Sequence, residues 1–295
     1  AAVPAAGDWV RLDGAAAPAG TSAAVVTEVL PRRTAVVRAQ VASGSSYEQV
    51  LAANADVAAV VEGMAPDGDL ARVERLLALA WSSGARPVVV LTKSDLVALP
   101  EALRAEVADV APGADVHAVS ATDDVGLEPL RELLASGATV ALLGASGVGK
   151  STLLNALVGT TTMRTQALRT DGKGRHTTVT RELHLVPGGG AVLDTPGLRT
   201  VGLAGREALD DVFADVDELA AGCRFHDCAH LTEPGCAVLA ALETGELSER
   251  RLHSYRKLLR EAAHQAERVD ARLRAQAAGR RKAIAKAYRK QQVRP

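Results

Sequence analysis

The run Gly144–Ser151, GASGVGKS, fits the pattern G-x-x-x-x-G-K-[ST]. A chain with that spacing can curl its backbone N–H groups around a phosphate, because glycines leave no Cβ in the way. Gly144, Ala145, Ser146, Gly147, Val148 and Gly149 would form the cradle, Lys150 would bring a positive charge to the β- and γ-phosphates, and Ser151 would offer a hydroxyl to Mg²⁺. Thr152 follows in the first turn of the next helix, whose N-terminal dipole also favours an anion. Downstream, AVLDTPG ends an apolar run with Asp194, which is placed to hold Mg²⁺ through water, and with Gly197, whose N–H can face a γ-phosphate. Between these motifs, Thr160–Arg181 is polar and glycine-containing, so Thr177 or Thr178 could join the Mg²⁺ when a γ-phosphate is present.

A second set of residues suits a purine base. LTKSDL holds Thr92, Lys93, Ser94 and Asp95 directly after an apolar run. The Asp95 carboxylate can accept from both N1–H and the exocyclic amine of guanine, whereas adenine would leave it unpaired. Lys93 can lie along the ring. Ser120 and Ala121 end another apolar run, and the Ala121 N–H can reach guanine O6. The expected ligands are therefore GTP and GDP with Mg²⁺. The usual order in a GTPase is P-loop, threonine segment, D-x-x-G, N-K-x-D, S-A. Here the base motifs come first, which is a circular permutation.

The third set is C-x₄-C-x-H-x₅-C, with Cys223, Cys228, His230 and Cys236. Three thiolates and an imidazole make a closed tetrahedral set of the structural zinc type, with no open position for catalysis. An odd cysteine count and a cytosolic setting disfavour disulfides. His226 is a second imidazole within the same stretch.

These residues need a frame. DVAAVVEG, PVVVLTK, VHAVS and TVALLG read as buried strands, separated by helices over Asp69–Ser82, after Pro100, and over Leu127–Leu134. That alternation predicts an α/β fold, a parallel sheet with helices on both faces. Ligands then gather at the carboxyl ends of the strands whatever the order of the strands in the chain. Residues 1–48 read as a partial β module with strands near Asp8–Leu12, Ala24–Leu30 and Ala35–Arg38, 49–203 as the permuted GTPase domain, and 204–295 as a helical zinc-binding domain. The last contains an acidic helical region at Glu207–Ala220 and a long amphipathic helix opening at Ser248. It ends in a tail with seven Lys or Arg and no acid between Gly279 and Pro295, which could be a solvated helical tail or a phosphate-contacting one.

Composition narrows the classes. Only 2% of residues are aromatic, which argues against a base-stacking surface for single strands, and a net charge of −1 against a basic nucleic-acid coat. No apolar run is long enough to span a membrane, and AAVPAAGDWV lacks the features of a signal peptide, so a soluble, cytoplasmic protein is expected.

With these residues assembled, the chain resembles the RsgA (YjeQ) family of small-subunit-dependent GTPases. The permuted order, K-G-R-H-T-T at Lys173–Thr178, D-T-P-G, the cysteine pattern and LPRRTAVVR at Leu30–Arg38 carry the resemblance, which covers roughly Gly7 to Lys290. It implies an N-terminal barrel of OB type, His230 rather than His226 as the fourth zinc ligand, and GTP hydrolysis stimulated by the 30S subunit. It also implies a cytoplasmic role in late 30S maturation through contacts to 16S rRNA, by a protein expected to be monomeric. Two departures stand out. Thr92 occupies the place of the family's Asn, which predicts a weaker tether for the base loop. The chain also starts near the family's G-D-W-V segment (Gly7–Val10), so the earlier barrel strands are expected to be missing, either because this is a fragment or because the barrel is reduced. Leu198 stands where many GTPases place a water-orienting Gln, so slow intrinsic hydrolysis is expected, with His176 positioning the water once a ribosomal surface orders its segment. The alternatives are a GTP-dependent switch for a non-ribosomal partner and a zinc-dependent nucleic-acid binder with a vestigial P-loop. Lys150, Ser151 and Asp194 together argue against the last.

Overall fold

A computed structural model describes residues 3–13, 25–42, 45–65, 68–159, 181–195, 197–198 and 207–264. At its centre is a six-stranded sheet. Strands β5 (Val57–Gly63), β6 (Arg86–Thr92), β7 (Asp115–Ala118), β8 (Thr139–Leu143) and β10 (Ala191–Asp194) run parallel, in the order β7-β6-β5-β8-β10. The sixth, β9 (Glu182–Leu185), closes the edge antiparallel to β10, with Asp194 opposite Glu182. Sequence periodicity missed β9, which is only four residues long, although the Pro187-Gly-Gly-Gly turn after it is a hairpin signal.

Strand alternation divides the interior in two. Ala58, Val60, Val89, Leu91, Ala141, Leu143 and Leu193 face one cluster, while Val57, Ala59, Val61, Val88, Val90, Val140, Leu142 and Val192 face the other. Both faces being buried explains why these strands read as unbroken apolar runs. The second face is covered by α3 (Glu128–Ala135), through Leu130 and Leu134, and by α4 (Lys150–Val158), through Leu153, Leu154 and Leu157. The first face receives α1 (Leu70–Ser82), which buries Val73, Leu76 and Leu77, and α2 (Pro100–Asp109), which buries Val107. Asp69 caps α1 by accepting from the Arg72 N–H at 3.0 Å, so the helix starts where a capping carboxylate precedes the apolar repeat.

The first cluster continues without a break into the C-terminal region. Phe213 lies between α5 (Glu207–Val212) and α6 (Ala214–Ala220), and it joins Val216, Val238 of α7 (Ala237–Thr244), and Leu252, Tyr255, Leu258 and Ala262 of the helical stretch α8 (249–264) in the same core. Polar bonds reinforce this joint. Glu74 on α1 is fully buried and accepts from Arg250, from Arg251 at 2.7 Å and from the Ser254 hydroxyl. Arg251 also donates to Asp215 and to the Val212 and Val110 carbonyls, and it stacks over Phe213 at 4.3 Å. One turn away, Arg75 pairs with Glu261 at 2.6 and 2.8 Å.

The described N-terminal strands form two separate antiparallel ladders, β1 (Val10–Asp13) with β2 (Val25–Val29) and β3 (Ala35–Ala42) with β4 (Ser45–Ala53). Residue 48 falls inside β4, and Val36, Leu51 and Ala52 of this second ladder lie in the first core cluster, so the hairpin is anchored to the α/β body. No helix among the described residues is long and apolar enough to cross a membrane.

Breaking a buried ion pair on one side leaves the partner's charge uncompensated. Glu74→Ala is therefore expected to lower stability by about 3–5 kcal/mol. Urea unfolding monitored on the full chain checks this, and a loss under about 1 kcal/mol would show that the buried network does not hold α8 to α1.

Candidate functional site

The loops that leave β5, β6, β7, β8 and β10 all emerge at the same edge of the sheet, the carboxyl edge, because those strands are parallel. The phosphate loop follows β8 and ends where α4 begins at Lys150. Gly149 caps that helix at φ 101°, a left-handed conformation closed to most side chains, and a Cβ there would press on Thr92 Oγ1. Lys150 is buried and folds back over its own loop, its Nζ donating to the Gly144 and Ala145 carbonyls at 2.8 Å each. Burial pulls this ammonium down from 10.5 to about 8, against the opposing pull of Asp194 and Glu62. Asp194 is shifted the other way, upward, by burial, with Lys150 resisting, and its Oδ1 is buried without a hydrogen-bond partner. A buried orphan oxygen opposite a lysine of loosened charge fits a site built to receive a cation together with an anionic phosphate.

The segment after β10 closes on the phosphate loop. Thr195 donates to the Leu142 carbonyl at 2.6 Å, and the Leu198 N–H donates to the Gly144 carbonyl at 2.9 Å. At Gly197 any side chain would overlap Ser146, so the D-T-P-G glycine is required by close approach to the P-loop. Leu198 itself is 2% exposed and belongs to the core under α1. It is directed into packing rather than toward a water molecule.

The base loop is tied to the phosphate loop directly. Thr92 is buried, and its hydroxyl donates to the Val148 carbonyl and reaches the Glu62 carbonyl at 3.3 Å. The hydroxyl thus supplies the link that the Asn-to-Thr departure was expected to weaken. Lys93 adopts φ 63° and extends along the strand end, with Nζ 3.5 Å from the Ala65 carbonyl. Asp95 sits exposed in the single 3₁₀ turn Ser94–Leu96, its carboxylate making no hydrogen bond among the described residues. The Ser94 N–H donates to Val119 O at 3.2 Å, which fixes this turn against the next loop. There Ser120 is buried and holds the turn by accepting from the Asp123 N–H, while the half-buried Ala121 keeps its N–H without an acceptor among the described residues. Ser151 and Thr152 lie half-buried in the first turn of α4. His176, Thr177 and Thr178, together with the basic tail, lie outside the described residues.

The cysteine loop gathers Cys223, Cys228, His230 and Cys236, with all four ligand atoms within 4.8 Å of one another. His230 Nδ1 is 3.6 Å from Cys223 Sγ and 3.4 Å from Cys236 Sγ, and those two sulfurs are 3.8 Å apart. A tetrahedral Zn²⁺ with ordinary bonds has ligand-to-ligand edges of roughly 3.5–3.8 Å. The donor set therefore fits that ion. His226 points away, its side chain 97% exposed. Burial lowers the His230 pKa, favouring the neutral imidazole that a metal needs.

Sequence reasoning did not identify what holds this loop. His230 sits at φ 56°, uncommon for a side-chain-bearing residue. Glu233 accepts from the N–H groups of Ala229, Leu231 and Thr232 at 3.1, 2.7 and 2.9 Å, and Arg256 of α8 donates to the His230 carbonyl. The backbone N–H of Glu233 itself, and then those of Leu231, Thr232 and Ala229, hold the Glu233 carboxyl down at about 2. Cys236 caps α7 by accepting from the Leu239 N–H.

The RsgA GTPase family model matches residues 29–204. A relative from Streptomyces avermitilis, named a small ribosomal subunit biogenesis GTPase RsgA, is 56% identical over 92% of this chain and 72% of its own length. The chain belongs to the RsgA GTPase family. One from Listeria monocytogenes, named RsgA 2, is 43% identical over 97% of the chain and 80% of its own length. Among solved structures, YjeQ from Thermotoga maritima is similar at TM-score 0.60 and 29% identity, covering 87% of this chain and 84% of that one. An ABC transporter model also matches, over residues 127–288. Its range includes the P-loop but not the base loop at Thr92–Asp95, and the RsgA relatives span both. The family makes the chain a GTP hydrolase.

Two outcomes test this site. A bound phosphate restores the Lys150 charge, so nucleotide affinity should fall as pH rises through 8. At pH 8, GDP binding should take up roughly half a proton, measured by calorimetry in buffers of different ionisation enthalpy; no uptake would mean that Lys150 is already fully charged. For the cysteine loop, Glu233→Gln should speed metal release to a chromogenic chelator about tenfold or more, since partners of ligating groups typically govern metal affinity on that scale. Unchanged release would leave Glu233 without a part in holding the ligand.

Proposed function

We propose that this protein hydrolyses GTP to GDP and phosphate in the pocket at the carboxyl edge of the sheet, under the control of the small ribosomal subunit, and acts late in maturation of that subunit. The observation that carries the reading is the junction of Thr92 with Val148, which ties a guanine-type loop to a phosphate loop. In this reading Asp95, Lys93 and the Ala121 N–H hold the base, with Thr92, Ser94 and Ser120 shaping the loops beneath it. The backbone from Gly144 to Gly149 cradles the phosphates. Lys150 moves from its loop carbonyls to the β- and γ-phosphates, and Ser151, Asp194 and one of Thr177 or Thr178 hold Mg²⁺, with Thr152 beside them. The cation, when bound, neutralises charge that builds on the transferring phosphoryl group. Gly197 offers its N–H to the γ-phosphate.

Leu198 has no group that can orient water, so hydrolysis by the isolated chain is slow. His176 is proposed to position the attacking water once the subunit orders its segment. Cys223, Cys228, His230 and Cys236 hold a structural Zn²⁺ that contributes folding energy to the C-terminal region. We assign residues 49–203 to hydrolysis, 204–295 to the zinc domain with its basic tail, and 1–48 to a partial OB-like β module. Contact with 16S rRNA, a cytoplasmic setting and a monomeric state complete the proposal. The names of the relatives, small ribosomal subunit biogenesis GTPases, support the partner.

GTP turnover measured alone, with purified 30S subunits and with 50S subunits should rise at least tenfold with 30S only. His176→Ala should keep nucleotide affinity and lose most of that stimulation. Equal stimulation by 50S, or none by 30S, would contradict the ribosomal assignment, while full stimulation of the variant would contradict the role of His176.

A further inference from the structure

The apolar run of β5 ends on a charge. Glu62 follows Ala58 and Val60 on the face buried in the first core cluster, and it is 2% exposed. Arg72 of α1 grips its carboxylate as a fork, Nε donating to Oε2 at 2.7 Å and Nη2 to Oε1. The capping carboxylate of Asp69 is a second and longer partner of Arg72, at 3.3 Å. Arg72 lies in the first turn of α1, where the helix dipole disfavours a cation. Apolar side chains of similar size often stabilise a core as well as a buried ion pair does. Stability of the helix or the core therefore does not account for the pair.

What the pair fixes is the end of β5, which lies between the two nucleotide loops. On one side, a Cβ at Gly144, the first glycine of the phosphate loop, would run into the Val61 carbonyl oxygen. On the other, the Met64 N–H donates to the Thr92 carbonyl at 2.9 Å, and Thr92 pairs with Gly63 in the sheet. Between them the Thr92 hydroxyl bonds to Val148 and lies 3.3 Å from the Glu62 carbonyl oxygen. A shift of Glu62 would therefore move the seat of both loops. The fork has a firm support, because α1 is anchored to α8 through Glu74 and Arg75.

We propose that Arg72 and Glu62 are positioning residues for the guanine nucleotide. Their fork sets the end of β5 so that the Thr92–Val148 junction closes, and it slows nucleotide release from outside the phosphate and base loops. The influence passes through the Thr92 hydroxyl. This deepens the guanine reading of the pocket and rests on it.

The test replaces both charges at once, because removing one would leave the other buried and unpaired. Glu62→Met/Arg72→Met suits the site. Glu62 borders a cavity of about 90 Å³ lined in part by Val73, Leu91, Leu103 and Val107, and methionine fills irregular gaps. Release of a fluorescent GDP analogue, chased with excess GDP at saturating Mg²⁺, is followed by stopped flow. The double variant should release it about tenfold faster, a size typical of coupling between residues in contact. Its melting temperature should hold or rise. Arg72→Lys, which keeps the charge but loses the fork, should fall between wild type and the double variant. In a Thr92→Val background, where the junction is already open, the same two substitutions should speed release by less than about twofold.

Release from the double variant at the wild-type rate would overturn the proposal. So would the full acceleration in the Thr92→Val background, because the pair would then act independently of the junction. A lowered melting temperature in the double variant, with Arg72→Lys releasing at the wild-type rate, would also overturn it, since the pair would be structural alone. Wild-type protein that binds no GDP analogue would overturn the guanine reading and this inference with it. A bound analogue with an unaltered release rate in the variants overturns this inference alone.

Discussion

Parallel pairing of β6, β5, β8 and β10 is the constraint on which every other feature rests. Parallel strands send their following loops to one edge, and at that edge the phosphate loop, the D-T-P-G turn and the base loop come within hydrogen-bonding reach. The reach is measurable: Thr92 bonds to Val148, Leu198 to Gly144, and Ser94 to Val119. None of these contacts depends on which strand comes first in the chain. A permuted order therefore costs the pocket nothing, provided strand positions in the sheet are kept.

Permutation does change what the pocket is attached to. The D-T-P-G turn is the last element of the pocket in the chain, and the cysteine-bearing region follows it. Leu198 enters the same core that contains Phe213, Val216 and Tyr255. From the other side, α1 begins beyond the β5 end that neighbours the base loop, and its Glu74 is gripped by α8. The α8 helix in turn reaches the cysteine loop through Arg256 at the His230 carbonyl. Nucleotide pocket and cysteine cluster are thus joined by packed apolar contacts and by a buried polar network, both of which can carry strain between them.

Much of this was legible in the sequence, and the reasons are physical. The phosphate loop, the base loop and the cysteine set are local motifs whose chemistry dictates spacing, so Gly144–Ser151, Thr92–Asp95 and Cys223–Cys236 could be read directly. Long strands buried on both faces gave equally clear runs, and the apolar spacing over Asp69–Ser82 gave α1, although the capping role of Asp69 came from the structure. Short elements were harder. Strand β9 is four residues at an exposed edge, and α7 is eight residues opened by a cysteine that also belongs to the Cys₃His cluster. Long-range pairings left no local trace at all. Nothing near Glu74 in the sequence indicates that Arg250, Arg251 and Ser254 will close on it from far along the chain. Likewise Thr92 reads as a departure from an amide motif until the structure places its hydroxyl against the Val148 carbonyl. His230 and His226 could not be separated by chemistry, only by the resemblance and then by burial.

The central claim is that this permuted pocket selects guanine through one carboxylate in the turn after β6. Competition of GTP, ATP and XTP against a fluorescent GTP analogue, in the wild-type chain and in Asp95→Asn, tests it most directly. The substitution exchanges an acceptor for a donor and should favour the C2 carbonyl of xanthine over the amine of guanine. The account predicts wild-type preference for GTP over ATP by about 10³-fold or more, as expected when a wrong base leaves buried polar groups unmet, and reversal toward XTP in the variant. Similar affinities for GTP and ATP in the wild-type protein, or an unaltered GTP preference in Asp95→Asn, would contradict it.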